Sequence, residues 1–258
     1  MIMTKNIKRL LGLITVFALC LSFAGCNKPT TPTVETVPML VTDGTTLTYN
    51  EFLATNFGEQ VVVAGYVQAK MSYIAEETGD GNTSMFIKDQ TSDNAYFLYN
   101  VRLTQAVYDS ITEGTPIKVT GTKQVFSNEV EIANGTIEVL SASPVIAQPL
   151  DITTIFASSA SDYINRKIQL SGFVVETWED GAIFRYGYNG TGSAGDAIFF
   201  RASQGGVTYT FAVNPYLVGG AESTVYTAVQ GLQQGQSITI QGYMYFYETP
   251  MVQVTSIA

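Results

Sequence analysis

Twenty-two acidic side chains and not one histidine set the limits of what this 258-residue chain can do chemically. Without imidazole there is no Ser-His-Asp triad, no Cys-His dyad, no histidine zinc site and no histidine pH switch. The loop Glu76-Glu77-Thr78-Gly79-Asp80-Gly81-Asn82 gathers oxygen ligands of the kind calcium takes. Its spacing is not that of an EF-hand, and it reads as a solvated acidic turn. Glu176, Glu179 and Asp180 read the same way. Paired carboxylates can hydrolyse glycosides only at a fixed separation, which nothing here sets. The Gly-rich stretch 187–206 lacks the lysine and the helix start of a phosphate loop. The expectation is a non-enzyme with no catalytic residue, no metal site and no cofactor.

Aromatic side chains are the other candidates. The chain has 15 Tyr, 14 Phe and one Trp. In the run Tyr243-Met244-Tyr245-Phe246-Tyr247, a period of two puts three tyrosines on one face and Met244 and Phe246 on the other. Such a tyrosine face suits a carbohydrate or protein surface. It also suits an ordinary strand, because tyrosine favours β structure.

The elements that would carry these residues are strands. Short β-branched and aromatic runs alternate with Gly, Asn, Asp and Ser, and no long amphipathic helix is apparent. Charged residues make up only 14% of the chain. An internal repeat is visible. Gln60-Val-Val-Val-Ala-Gly65-Tyr66-Val67 matches Lys167-Ile-Gln-Leu-Ser-Gly172-Phe173-Val174, and Gly114-x-x-Ile117-x-Val119-x-Gly121 matches Gly235-x-x-Ile238-x-Ile240-x-Gly242. Each copy reads as five strands: 60–71, 83–90, 95–101, 116–126 and 129–141 in the first. In the second they are 167–178, 182–188 with 196–202, 207–213, 237–247 and 250–257. Short helical segments are expected at 49–54, 104–111, 152–157 and 224–232. The repeated glycines mark strand kinks of the sort a small barrel needs.

Together with Met85-Phe86-Ile87-Lys88-Asp89, these motifs resemble exported OB-fold modules of bacterial surface lipoproteins and of some extracellular nucleases. The resemblance implies an all-β chain of two tandem five-stranded Greek-key barrels, each with a short helix between strands three and four. Domain 1 is expected over 45–143 and domain 2 over 150–258. It also implies a ligand surface on strands two and three, flanked by the loops between strands one and two and between four and five. Tyr73, Phe86, Tyr96 and Tyr99 fall near that surface in the first copy, with Phe97 beside them. Trp178, Phe184, Tyr186, Tyr188, Phe199, Phe200 and Tyr209 fall near it in the second, with Tyr243, Tyr245 and Tyr247 as a further face. These residues could stack on sugar rings or bases, or could fill the barrels and pack them together.

The N-terminus supplies an address. Lys5, Lys8 and Arg9 precede an apolar stretch from Leu10 to Phe23, and Ala24-Gly25 lead into Cys26. That is the order of a signal peptide, and the stretch is short for a bilayer of roughly 30 Å. The segment resembles the bacterial lipobox, with Phe23 where that family usually carries Leu. The resemblance implies cleavage after residue 25 and a diacylated Cys26. The Pro/Thr-rich residues 26–44 would form the tether, and the protein would be held at a cell membrane facing the extracytoplasmic side. Without residues 1–25, which carry three basic and no acidic residues, the formal charge of −9 becomes −12. Such a charge disfavours nucleic acid. The expected role is a non-catalytic binding module for an oligosaccharide or a protein. The alternatives are a structural surface lipoprotein and a binder of single-stranded nucleic acid.

Overall fold

A computed structural model describes residues 39–42, 44–77 and 79–258; the signal-peptide, Cys26 and early tether expectations lie outside the described residues. Two closed five-stranded barrels follow one another. In the first, β1 (Gln60–Lys70), β2 (Gly81–Asp89), β3 (Ala95–Leu103), β4 (Pro116–Phe126) and β5 (Glu129–Val139) run in the order β1-β2-β3-β5-β4. Strand β1 pairs with both β2 and β4 and so closes the ring; β3 and β5 are parallel. A short strand β6 (Leu150–Asp151) opens the second half. Its barrel uses β7 (Lys167–Glu176), β9 (Ile198–Gln204), β10 (Val207–Val213), β11 (Ser237–Tyr247) and β12 (Thr249–Ile257). The pairings repeat the first ring: β7 with β9 and β11, and β10 parallel to β12. This is the expected OB-type Greek key twice over.

Alternation along each strand sorts side chains inward and outward. Val61, Val63, Met85, Ile87, Tyr96, Leu98, Ile117, Val119 and Ile132 fill the first barrel. Ile168, Leu170, Phe173, Phe200, Phe211, Ile240, Met244 and Val252 fill the second. Helix α1 (Tyr49–Ala54) begins at a Thr48–Glu51 capping box and plugs the first barrel with Phe52. Helix α2 (Gln105–Ser110) lies between β3 and β4. Helix α3 (Phe156–Ser159) starts four residues later than the sequence suggests: residues 153–155 form a turn, with the Ile155 N–H donating to the Ile152 carbonyl at 3.0 Å. Helices α4 (Pro215–Val218) and α5 (Thr224–Gln230) separate β10 from β11.

The insertion in the second copy becomes a three-residue strand β8 (Phe184–Tyr186) and a loop, since Gly187 turns the chain at φ +70°. At Gly242 the β11–β12 register slips, and a Cβ there would run into the Gln253 carbonyl oxygen, so this kink tolerates only glycine.

Candidate ligand cleft at the seam between the barrels

The outer face of β2 and β3 carries Phe86 opposite Phe97, with ring centroids 4.9 Å apart. The outer face of β11 carries Tyr243 and Tyr245. These four rings meet. Phe86 stacks on Tyr243 at 4.5 Å and 11°, and Phe97 meets Tyr245 edge-on at 5.4 Å. The Tyr243 hydroxyl donates to the Gln68 carbonyl oxygen at 2.8 Å. The face of the first barrel that OB folds ordinarily offer to ligands is therefore closed by the second barrel.

Further bonds hold the seam shut. The β11–β12 turn meets the β4–β5 turn: Glu248 N–H donates to the Ser127 carbonyl at 2.7 Å, and Asn128 Nδ2 donates to the Glu248 carbonyl at 3.0 Å. Phe246 N–H donates to Glu129 Oε2 at 2.9 Å. Ser72 N–H donates to the Tyr216 carbonyl at 2.7 Å, and Lys167 pairs with Glu113 at 2.8 Å. Buried Gln68 clamps the inter-barrel linker, donating to the Val145 carbonyl and accepting the Ala147 N–H.

Beside the joined turns a cleft of about 290 Å³ remains open. Phe126, at the end of β4, and Tyr188, Phe199, Tyr245 and Tyr247 form its aromatic walls. Tyr188 stands edge-on to Phe199 at 5.6 Å and to Tyr247 at 5.7 Å. Phe126 is 57% exposed and Tyr188 47% exposed. Ala212, Met251 and Gln253 line it as well, and Gln253 Oε1 is buried with no hydrogen-bond partner. An orphaned buried acceptor costs about 1–3 kcal/mol. No charged residue is among those lining the cleft within the described residues. A larger cavity of about 390 Å³ between α3 and β10 is lined mainly by Ser, Ala and Thr, with Phe156 and Tyr209 already packed on each other.

The sequence-selected aromatics thus separate into groups. Tyr188, Tyr245 and Tyr247 reach the cleft. Phe86 and Tyr243 are consumed by the seam. Tyr96 points into the first barrel, where its hydroxyl donates to buried Asp89 at 2.8 Å, so it cannot meet a ligand. Tyr186 is half-buried against the second core and accepts from Gln230 Nε2. Tyr73 packs on Tyr108 and accepts the Gly81 N–H at 2.6 Å. Tyr99 is exposed at a neighbouring cavity. Trp178 lies between Arg185 and Arg201, at 4.3 and 5.3 Å. Those arginines pair with Asp180 and Glu179 respectively. Phe126 and Gln253 were not singled out by sequence; an exposed Phe just before a Ser-Asn turn was the one available signal. In the acidic turn, Glu76 pairs with Arg102 at 2.9 Å, and no three acidic or cysteine side chains cluster as a metal site among the described residues.

Burial dominates the acid–base state of the seam. Glu129 is fully buried, and its carboxyl is pushed up to about 8, with the Phe246 N–H opposing the rise. Burial likewise raises Glu131 to about 7. The phenols of Tyr243 and Tyr245 are raised for the same reason.

No protein family and no curated protein matches the sequence. Solved structures similar to it include a murine DNA-binding protein bound with double-stranded DNA (12% identity, 76% of this chain, 93% of that one, TM-score 0.35). A replication protein A heterotrimer bound to single-stranded DNA is similar over 75% of this chain and 49% of that one, at 9% identity and a TM-score of 0.30. A single-stranded DNA-binding protein from Thermus aquaticus is similar over 79% of this chain and 93% of that one, at 12% identity and 0.26. At such scores the likeness bears on no functional point, and the barrel assignment rests on strand order alone.

Proposed function

We propose that this chain is a membrane-tethered, extracytoplasmic binding module that takes a neutral oligosaccharide in the cleft between its barrels. The tether is the lipid on Cys26, a reading supported by the basic, apolar and small-residue zones before that cysteine. The single observation behind the ligand is the uncharged aromatic lining of the cleft, formed by Phe126, Tyr188, Phe199, Tyr245 and Tyr247. Aromatic rings accept the apolar faces of sugars, and tyrosine hydroxyls at the ring tips hydrogen-bond sugar hydroxyls. The role is non-catalytic: the chain has no histidine, and the raised carboxyls of Glu129 and Glu131 are not among the groups lining the cleft.

A glycan array with the protein starting after Cys26 tests the ligand. Tyr188→Ala together with Tyr247→Ala should lower affinity for the retained glycans by roughly tenfold or more, since one ring contact is worth about 0.5–1.5 kcal/mol. An array with no retained glycan would leave the structural-lipoprotein reading in its place. Mass spectrometry of the membrane form tests the tether: a mature N-terminus other than acylated Cys26 would refute it.

Single-stranded nucleic acid is the second reading, and Trp178 between two arginines is the feature that favours it, as a base-stacking platform. Both guanidiniums already face carboxylates, and the net charge is −12 once residues 1–25 are removed. Micromolar binding to a short oligothymidylate, lost in Trp178→Ala, would establish it.

A further inference from the structure

A second cavity, of about 330 Å³, opens on the same seam. Tyr99 of β3 and Tyr216 of α4 stand in its wall, 50% and 59% exposed. Asn82 and Asn100 line it too, their Nδ2 groups donating to Glu76 Oε1 and Asn134 Oδ1, and no charged residue lines it among the described residues. Like the cleft, it draws on both barrels.

The two cavities adjoin. Asn214 lines the cleft, and its side-chain oxygen accepts the N–H of Tyr216, which lines the second cavity. Tyr99 and Tyr216 thus stand in the one cavity, and Tyr245, Tyr247 and Tyr188 in the other. All keep hydroxyls at the ring tip, which suits a polar, ring-bearing ligand rather than a lipid.

We infer that the seam is one extended groove for a neutral polysaccharide chain, with the Tyr99–Tyr216 cavity as a second sugar subsite. The inference rests on the ligand reading proposed for the cleft and adds its length and polarity. The charge balance argues for this occupant. A nucleic-acid strand or a basic or acidic peptide would bring charges that find no counter-charge in either cavity. A neutral glycan brings hydroxyls for the tyrosine hydroxyls and apolar ring faces for the tyrosine rings.

The test is a length series. Disaccharide to hexasaccharide ladders of α-glucan, β-glucan, β-xylan and β-mannan are titrated into the protein by calorimetry. Affinity for the bound type should rise at least tenfold from the shortest to the longest member. Tyr99→Ala with Tyr216→Ala should abolish that rise and leave the disaccharide affinity unchanged; Tyr99→Phe with Tyr216→Phe should keep most of it. Both positions are exposed, so unchanged melting temperatures confirm that the variants are folded. Equal affinity for short and long members, or a rise that survives the alanine pair, overturns the extended groove while leaving the cleft intact. Failure of every ladder to bind overturns the cleft reading with it.

Discussion

Glu129 shows most sharply what the seam demands of single residues. Its Oε2 accepts one backbone N–H, and its buried Oε1 has no partner. Around it stand Asn165, whose side-chain amide opposes the rise in its pKa, and Glu131, which adds to it. Tyr49 and Tyr245 also feel its charge, and Arg166 opposes that effect at Tyr49. Burial penalises the charged form, which is why the carboxyl titrates near 8 instead of near 4.5. A raised acid pKa means the folded chain holds its proton more tightly than the unfolded chain. This contribution to stability is full below about pH 4.5 and is lost as pH climbs to about 8. Glu131 acts in the same direction with a window ending near 7. Within the window each group costs up to about 1.4 kcal/mol per pH unit. The melting temperature should therefore fall between pH 5 and pH 9, and Glu129→Gln should flatten that fall. A Gln variant with the wild-type slope would show that Glu129 is not the titrating group.

At the scale of elements, β4 holds α1 in place through one buried cation. Lys123 Nζ donates to the carbonyls of Phe52, Leu53 and Thr55 at 2.9, 2.8 and 2.7 Å, closing the helix end where carbonyls lack partners. Lys123→Met should cost about 2–4 kcal/mol in urea unfolding by orphaning the Leu53 and Thr55 carbonyls, while the Phe52 carbonyl keeps the Thr55 N–H, and amides of α1 should exchange faster. A cost below 1 kcal/mol would mean water replaces the ammonium freely. Strands of this kind were legible: β4, β10 and β11 run over the residues the β-branched pattern marks. Which side a residue faces was legible only where polarity alternates. In Tyr243–Tyr247 it does, and Met244 goes inward as the period requires. In Tyr96-Phe97-Leu98-Tyr99 every residue is apolar or aromatic, so nothing in the string says that Tyr96 is core and Phe97 outward.

At the scale of the molecule, the repeat foretold two barrels but not that they would spend a ligand face on each other. That depends on Phe86 meeting Tyr243 across 157 positions of sequence, a contact no local pattern encodes. Its consequence is cooperativity. The second barrel covers the four-ring cluster and the linker is clamped by Gln68, so exposing either barrel's seam uncovers large apolar rings of the other. Coupled units of this sort unfold together as long as the interface free energy exceeds the difference between their own stabilities. The wild-type chain should show one calorimetric transition. Truncating the stacked pair, Phe86→Ala with Tyr243→Ala, removes two rings whose loss costs about 3–5 kcal/mol each when buried, less whatever the pair shares. The transition should then split in two, with the glycan affinity of the cleft reduced because Phe126 no longer stands opposite Tyr188 and Tyr247. A single transition in the double variant, merely shifted to lower temperature, would mean that the joined turns at Ser127, Asn128 and Glu248 suffice to couple the barrels without the aromatic cluster.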